Sequence, residues 1–305
     1  MSTRTLERYN NLLRLHVAPT LGSRPLQKLT AIEIDALYVE REQVLAARTV
    51  HHVHVALKAC LAVAVRKKLI AANPADDAEA PTFDEGEAGR VLDEAELATV
   101  LQGFKGRAIY ALVLTLAFTG CRLNEALASQ WIDINFEAKT LSTLRAIEPT
   151  KKYGRRIKAP ETARGVRVIT IDDALIEVLR QVHDKHLRLV AGIPDGVKVD
   201  TSLVRLTQGA LIFPGWGGTD LLGTRNCHSV ETDWRERVAK IGFAGLRKHG
   251  LRGTHSTMLL DRGVGVHTVA ARIGDDAATL LRSMPNGPAR PTRAQPLFPQ
   301  SPRAR

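Results

Sequence analysis

The chain has 305 residues, enough for about two domains, and its 44% hydrophobic and 25% charged content allows an ordinary buried core. Three scattered cysteines, Cys60, Cys121 and Cys227, are odd in number and lack C-x-x-C spacing, which argues against a disulfide framework or a zinc finger and fits a reducing cytoplasm. With 43 Lys+Arg against 32 Asp+Glu the formal charge is +11, which points first to a polyanion such as nucleic acid.

In chain order, Leu6, Tyr9, Leu13, Leu15 and Val17 form an apolar stripe at helix spacing, ended by Pro19 and Gly22. Thr30 and Glu33 make a T-x-x-E capping box ahead of Ile34, Leu37 and Tyr38. A third helix runs from Arg48 to Leu69, and Asn73-Pro74 stops it. These helices predict a small all-α module over 1–75. His51, His52 and His54 resemble a metal tract only superficially and read as structural or nucleic-acid-facing, because on a helix they point in different directions.

Residues 76–96 hold nine acids against the single base Arg90, punctuated by Pro81, Gly86 and Gly89, so 76–92 reads as a solvated acidic linker. Asp93 and Glu96 form a second capping box, and the segment from Arg107 to Gln130 reads as two helices broken at Thr119-Gly120. The apolar run 110–118 is about half of a membrane span, and no signal peptide is read in the polar N-terminus. Strands are predicted near 141–144, at 155–158 and at 166–171, where Val166, Val168 and Thr170 alternate. The last two are read as a hairpin through 160–165 with a basic tip. Residues 145–167 hold eight bases and two acids, and Lys151, Lys152, Arg155, Arg156, Lys158 and Arg164 are the candidate nucleic-acid-contacting residues. Helices return at 172–190, 226–240, 249–262 and 266–273. The prediction is a mainly α chain: an all-α domain, then an α+β, mostly helical domain over 93–284 with a small antiparallel sheet.

Two segments carry chemistry. In "TGCRLNEALASQWIDI" an apolar helix ends at Gly120, Arg122 follows the turn, and Glu125 lies three residues on. An Arg so placed can open a helix and turn its guanidinium into a cleft, or pair with Glu125 on the surface. In "HGLRGTHSTMLLDRGV" His249 and Arg252 are neighbours at i, i+3, an imidazole beside a guanidinium, and His255 extends the same face. Their spacing suits no metal, and no cofactor is expected.

Together, in this order and about 130 residues apart, the two segments resemble the T-G-x-R-x-x-E and H-x-L-R boxes of the tyrosine recombinase (phage integrase) family. The opening helices resemble that family's core-binding domain, so the resemblance covers roughly 3–283 and implies no separate arm-binding domain ahead of it. It implies double-stranded DNA as partner, no membrane, and DNA integration and recombination through a 3′-phosphotyrosine. Arg122 and Arg252 would clamp the scissile phosphate, His249 would support proton transfer and Glu125 would orient its neighbours. Active relatives assemble as tetramers by exchanging C-terminal segments, an exchange that the altered tail of this chain puts in doubt.

The chain departs from the family pattern at three places. Glu161 stands where a lysine follows the hairpin proline. In "VAARIGDD" Asp275 takes the His or Trp position of the third box, either at the site or as an N-cap for 276–282. Met284 falls where the nucleophilic tyrosine is expected, and Tyr9, Tyr38, Tyr110 and Tyr153 all precede His249. Residues 285–305 hold six of the fourteen prolines and no helical periodicity, and read as a disordered tail. Residues 283–291 can be back-translated so that a one-base shift reads Tyr-Ala-Lys-Arg-Thr-Arg-Lys-Ala, a tyrosine at the expected place followed by a basic run. The sequence therefore predicts either a DNA-breaking and joining enzyme whose catalysis is impaired, or a non-catalytic DNA-binding remnant.

Overall fold

The computed structural model describes residues 2–83, 90–160, 163–194, 196–215 and 220–282. Glu161, Met284 and the tail 285–305 lie outside the described residues. The chain divides into two compact units, Met1–Gly86 with Pro149–Gly154, and Glu87–Glu148 with Arg155–Arg305.

The first unit is helical. Helix α1 (Thr3–Leu12) is capped by Ser2, runs into a π-helical stretch (Leu13–Val17) and continues as α2 (Ala18–Leu21). Pro19 therefore does not stop this helix. It sits in the first turn of α2, directly after the π-helical stretch that joins α2 to α1. Helix α3 (Ala31–Glu42) starts at the Thr30/Glu33 capping box, and α4 is Ala47–Arg66. Val17, Ile34, Leu37, Val50, Val53, Leu57 and Leu61 form the core. Full burial of such a side chain contributes roughly 1.5–3 kcal/mol. One polar pair is closed inside it, Tyr38 Oη to His54 Nδ1 at 3.0 Å. Burial raises the tyrosine pKa and lowers that of the histidine, so the pair is neutral and needs no counter-ion.

The described part of the acidic segment is not a free linker. The Glu79 amide donates to Asp35 (2.8 Å), Asp76 pairs with Lys58 (2.9 Å), and Phe83 meets His51 edge-to-face beneath the Arg48 guanidinium. Side chains of α4 hold Asp76 and the Phe83 ring, and Asp35 of α3 holds the Glu79 amide. At the far side, Leu92 is buried and its amide donates to Thr254 Oγ1 (3.0 Å) within the second unit.

The second unit is built around α6 (Tyr110–Thr119), which is buried on nearly every face, as an apolar helix at a domain centre must be. It packs against α5 (Glu94–Phe104), α7 (Leu123–Ala126), α8 (Asp173–Val190) and α10 (Gly250–Asp261). Helix α9 (Cys227–Lys240) brings Trp234 flat against Phe104, ring centroids 5.1 Å apart. Helices α11 (Val266–Ile273) and α12 (Ala277–Arg282) follow α10.

The sheet corrects two expectations. Strands β1 (Ile134–Asn135), β2 (Thr140–Thr143) and β5 (Arg167–Thr170) form one antiparallel sheet in the order β1-β2-β5, with Leu141 opposite Ile169. Strands β3 (Ala146–Thr150) and β4 (Gly154–Lys158) form a separate pair. The predicted hairpin between 155–158 and 166–171 is therefore absent: β4 pairs backward with β3, and β5 with β2. The inward face of β5 is also the opposite one. Ile169 and Ile171 are buried whereas Val166 and Val168 are exposed, because β5 is apolar at every second position on both faces and only pairing with β2 selects one.

Candidate functional site

Two left-handed glycines bring the site together. Gly120 (φ +64°) ends α6, and a side chain there would run into His255 Cδ2 at 2.8 Å and Ile273 Cγ2 at 3.0 Å. Gly274 (φ +75°) ends α11, where a Cβ would stand 2.7 Å from Arg167 Nη1 and 2.9 Å from the Arg164 carbonyl. Between these turns the starts of α7, α10 and α12 converge.

Arg122 is the N-cap residue of α7. Its amide donates to Glu125 Oε2 (2.9 Å) and its Nη1 to Glu125 Oε1 (3.0 Å), while Nη2 reaches the Gly274 carbonyl (3.4 Å) and Asp275 Oδ1. The side chain is 42% exposed, so the surface ion pair and the cleft reading both describe it. Arg252, in the first turn of α10, is buried. Its Nη1 donates to the carbonyls of Gly120 and Ile273, both at 2.7 Å, and its Nη2 donates to Asp275 Oδ2 at 2.5 Å. Both arginines thus meet on one carboxylate.

Asp275 is not the helix cap. The next residue takes that role: Asp276 Oδ1 accepts the Thr279 amide (2.8 Å) and Oδ2 the Thr279 hydroxyl (3.0 Å). Two adjacent acids are equivalent in sequence, and the left-handed turn at Gly274 decides which one meets the helix.

Glu125 is buried at the centre of the cluster. Burial would raise its pKa, but the hydrogen bond and charge of Arg167 and the bonds from Arg122 outweigh that, and it stays below the usual carboxylate range. Arg167 was not singled out by sequence reasoning beyond its place in the basic run. It donates to Glu125 Oε2 (2.8 Å), to the Arg272 carbonyl (2.7 Å) and to the Gly165 carbonyl (3.1 Å), with its side chain 7% exposed. Its position on the buried face of β5, with Ile169, is the signal that marks it once the face is known. Arg272 is a second unforeseen member: it donates to His255 Nε2 (3.0 Å) and to the carbonyls of Phe118 (3.2 Å) and Thr170 (2.8 Å).

His249 is the N-cap residue of α10 and lines a cavity of about 220 Å³ with Leu116, Cys121, Leu123, Lys248 and Arg252. Desolvation, then the charges of Arg252 and Arg122, lower its pKa, so it is a neutral imidazole at pH 7, able to accept a proton. Lys248, paired with Glu231, shares the cavity and was not foreseen. His255 follows Arg252 one turn further along α10. It is buried against Gly120 and Arg272.

The candidate DNA-contacting bases are not gathered into this cluster. Lys151 and Lys152 are exposed at the turn between β3 and β4. Arg155 is exposed and donates to Thr224 Oγ1 (3.3 Å). Arg156 and Lys158 both pair with the buried Glu148, at 2.7 and 2.8 Å. Arg164, largely exposed, lies 3.5 Å from Asp276. Among the described residues no group of His, Cys, Asp and Glu side chains could hold a metal ion, and no helix is long and apolar enough to cross a membrane.

No family model matches the chain. It is 24% identical over 191 residues to a tyrosine recombinase XerC-like protein of Caldanaerobacter subterraneus, an alignment covering 60% of this chain and 46% of the relative. It is 23% identical over 300 residues to an integrase of Streptomyces ambofaciens, covering 94% and 72%. The chain thus spans less than half the length of the first relative. Its fold matches the Tn1549 transposon integrase in complex with transposon right end DNA, with a TM-score of 0.76 at 18% identity, covering 94% of this chain and 90% of that one. The chain is thus similar in sequence to proteins named tyrosine recombinase XerC-like and integrase, and similar in fold to the Tn1549 integrase.

Proposed function

We propose that this chain is an integrase-type protein acting on duplex DNA in integration and recombination, with its own strand-cleavage chemistry impaired. The observation that carries the reading is the convergence of Arg122 and Arg252, from segments far apart in sequence, on one anion beside the His249 cavity. Two guanidiniums so placed suit the non-bridging oxygens of a phosphodiester, whose charge builds in the transition state of transfer. Arg167 and Glu125 hold Arg122 from behind, which gives the clamp a fixed geometry. The Tn1549 integrase of similar fold is bound to transposon right end DNA.

The impairment rests on residue chemistry. Met284 stands at the position expected for the nucleophile, and a thioether has no ionisable proton and cannot be restored as a leaving group. Glu161 stands where a lysine would protonate the leaving oxygen, and its charge would repel the phosphate. The back-translation of 283–291 supports a frameshift as the origin of both Met284 and the proline-rich tail.

Duplex DNA carrying a nick that traps covalent intermediates separates the parts of this reading. Salt-dependent binding without a covalent protein–DNA adduct is expected. An adduct would overturn the impairment, and no binding at low salt would overturn the DNA reading. The gene sequence tests the frameshift: codons at 284–290 that cannot be read as tyrosine plus a basic run after a one-base shift would end it.

A further inference from the structure

The carboxylate between Arg122 and Arg252 caps no helix and is the sole anchor of neither arginine. Asp276 caps α12, so Asp275 is not needed to start that helix. Arg252 keeps its place through Nη1 and the carbonyls of Gly120 and Ile273, without Asp275. Arg122 keeps its place through Glu125, which Arg167 anchors in turn. Removing Asp275 would therefore leave two positioned guanidiniums facing a common point, Arg252 with its Nη2 unpaired and Arg122 with its Nη2 on the Gly274 carbonyl alone. Each carboxylate oxygen of Asp275 takes one of these nitrogens, which is how an oxyanion sits between two arginines. The Arg122 side of the seat is open to solvent, since that side chain is 42% exposed, and Arg252 also borders the 220 Å³ cavity.

We infer that Asp275 fills an oxyanion seat built by Arg122 and Arg252, so that an external phosphate group binds there only by displacing it. Two anions a few ångströms apart repel, and the seat holds one. The inference rests on the DNA reading for the source of the phosphate, a backbone phosphodiester, and makes Asp275 an autoinhibitory contact on that site. The α11–α12 turn at Gly274 is the element that would carry the carboxylate away.

The test uses the full chain with tungstate, a tetrahedral oxyanion, titrated by calorimetry at fixed ionic strength. The unaltered protein is expected to bind weakly. Asp275→Asn keeps the shape and removes the charge, and should bind tungstate at least about tenfold more tightly. Adding Arg122→Gln to that variant should abolish the gain. Asp275→Ser serves as a second variant with the same expectation. Equal tungstate affinity in the folded variants and the unaltered chain would overturn the inference, as would a gain that survives Arg122→Gln. If neither variant folds, Asp275 is a structural tie and the inference falls. Duplex binding measured in parallel separates the two readings: a tungstate gain without a duplex gain supports the filled seat and counts against DNA as the source of the phosphate.

Discussion

Arg252 and Arg155 carry the same charge on the same side chain, yet one is enclosed by protein and the other faces water. Around Arg252, four guanidiniums (Arg122, Arg167, Arg252 and Arg272) meet backbone carbonyls, Glu125, Asp275 and His255, and their directions are fixed. Along β3–β4, Lys151, Lys152 and Arg155 extend into solvent, and Arg156 and Lys158 share one glutamate. Enclosed charge gives directed geometry and is costly to disturb, while exposed charge gives a screened, adaptable field. Net charge counts both alike, which is why +11 points only to a polyanion.

The largest expected difference lies in stability. Arg252→Ala leaves Asp275 Oδ2 and two carbonyls without their donor in a buried site and should cost about 3–5 kcal/mol in urea unfolding. Arg155→Ala should change stability by less than about 0.5 kcal/mol. A small loss at Arg252 would remove the distinction between the two regions.

The next effect is a pH dependence inside the cluster. Burial, then the Arg272 charge, pushes His255 down to about 3, whereas in the unfolded chain it titrates near about 6.5. The native state thus holds this ring neutral. Its contribution is fully present above the unfolded value and is lost as pH falls below it, by roughly 2 kcal/mol at pH 5. His255→Gln can still accept from Arg272 but does not titrate, so the fall in stability from pH 7.5 to 5 should shrink by about that amount. An unchanged fall would place the titration elsewhere, with His186, which burial lowers to about 4, as the first alternative.

Much of this was legible in local sequence. The capping boxes at Thr30/Glu33 and Asp93/Glu96 form as the T-x-x-E and D-x-x-E spacings predict. Gly120 followed by Arg122 marks a helix stop with a guanidinium just beyond it. Pairing and burial were not legible. Arg167 looks like one more base of a basic run until the face of β5 is fixed, and the choice between Asp275 and Asp276 depends on a backbone turn. Lys158 reads as a DNA-contacting base of the basic run, yet Glu148, the only described acid in that run, engages it at 2.8 Å.

A third effect reaches DNA and not stability. Replacing Lys151, Lys152 and Arg155 together by Gln should lower the log–log salt slope of duplex binding by about 2–3, close to one released counter-ion per phosphate contact. Unfolding in urea should stay within about 0.5 kcal/mol of the unaltered chain. A slope that does not move would take the hairpin out of the interface and leave the phosphate contacts to the cluster and to the helical unit.

The smallest effect tests the strand that joins the two regions. β5 carries Arg167 on the same face as Ile169, and that face is selected by the pairing of Leu141 with Ile169 across β2. Val168, 65% exposed, should accept Thr within about 0.5 kcal/mol, since a β-branched side chain is kept and no buried volume is lost. Ile169→Val, one methylene less in a closed core, should cost about 0.5–1.5 kcal/mol. The reverse order would mean that the sequence alternation of Val166, Val168 and Thr170 marks the inward face. Arg167 would then point to solvent, Glu125 would lose its buried partner, and Arg122 would have nothing behind it to hold its direction.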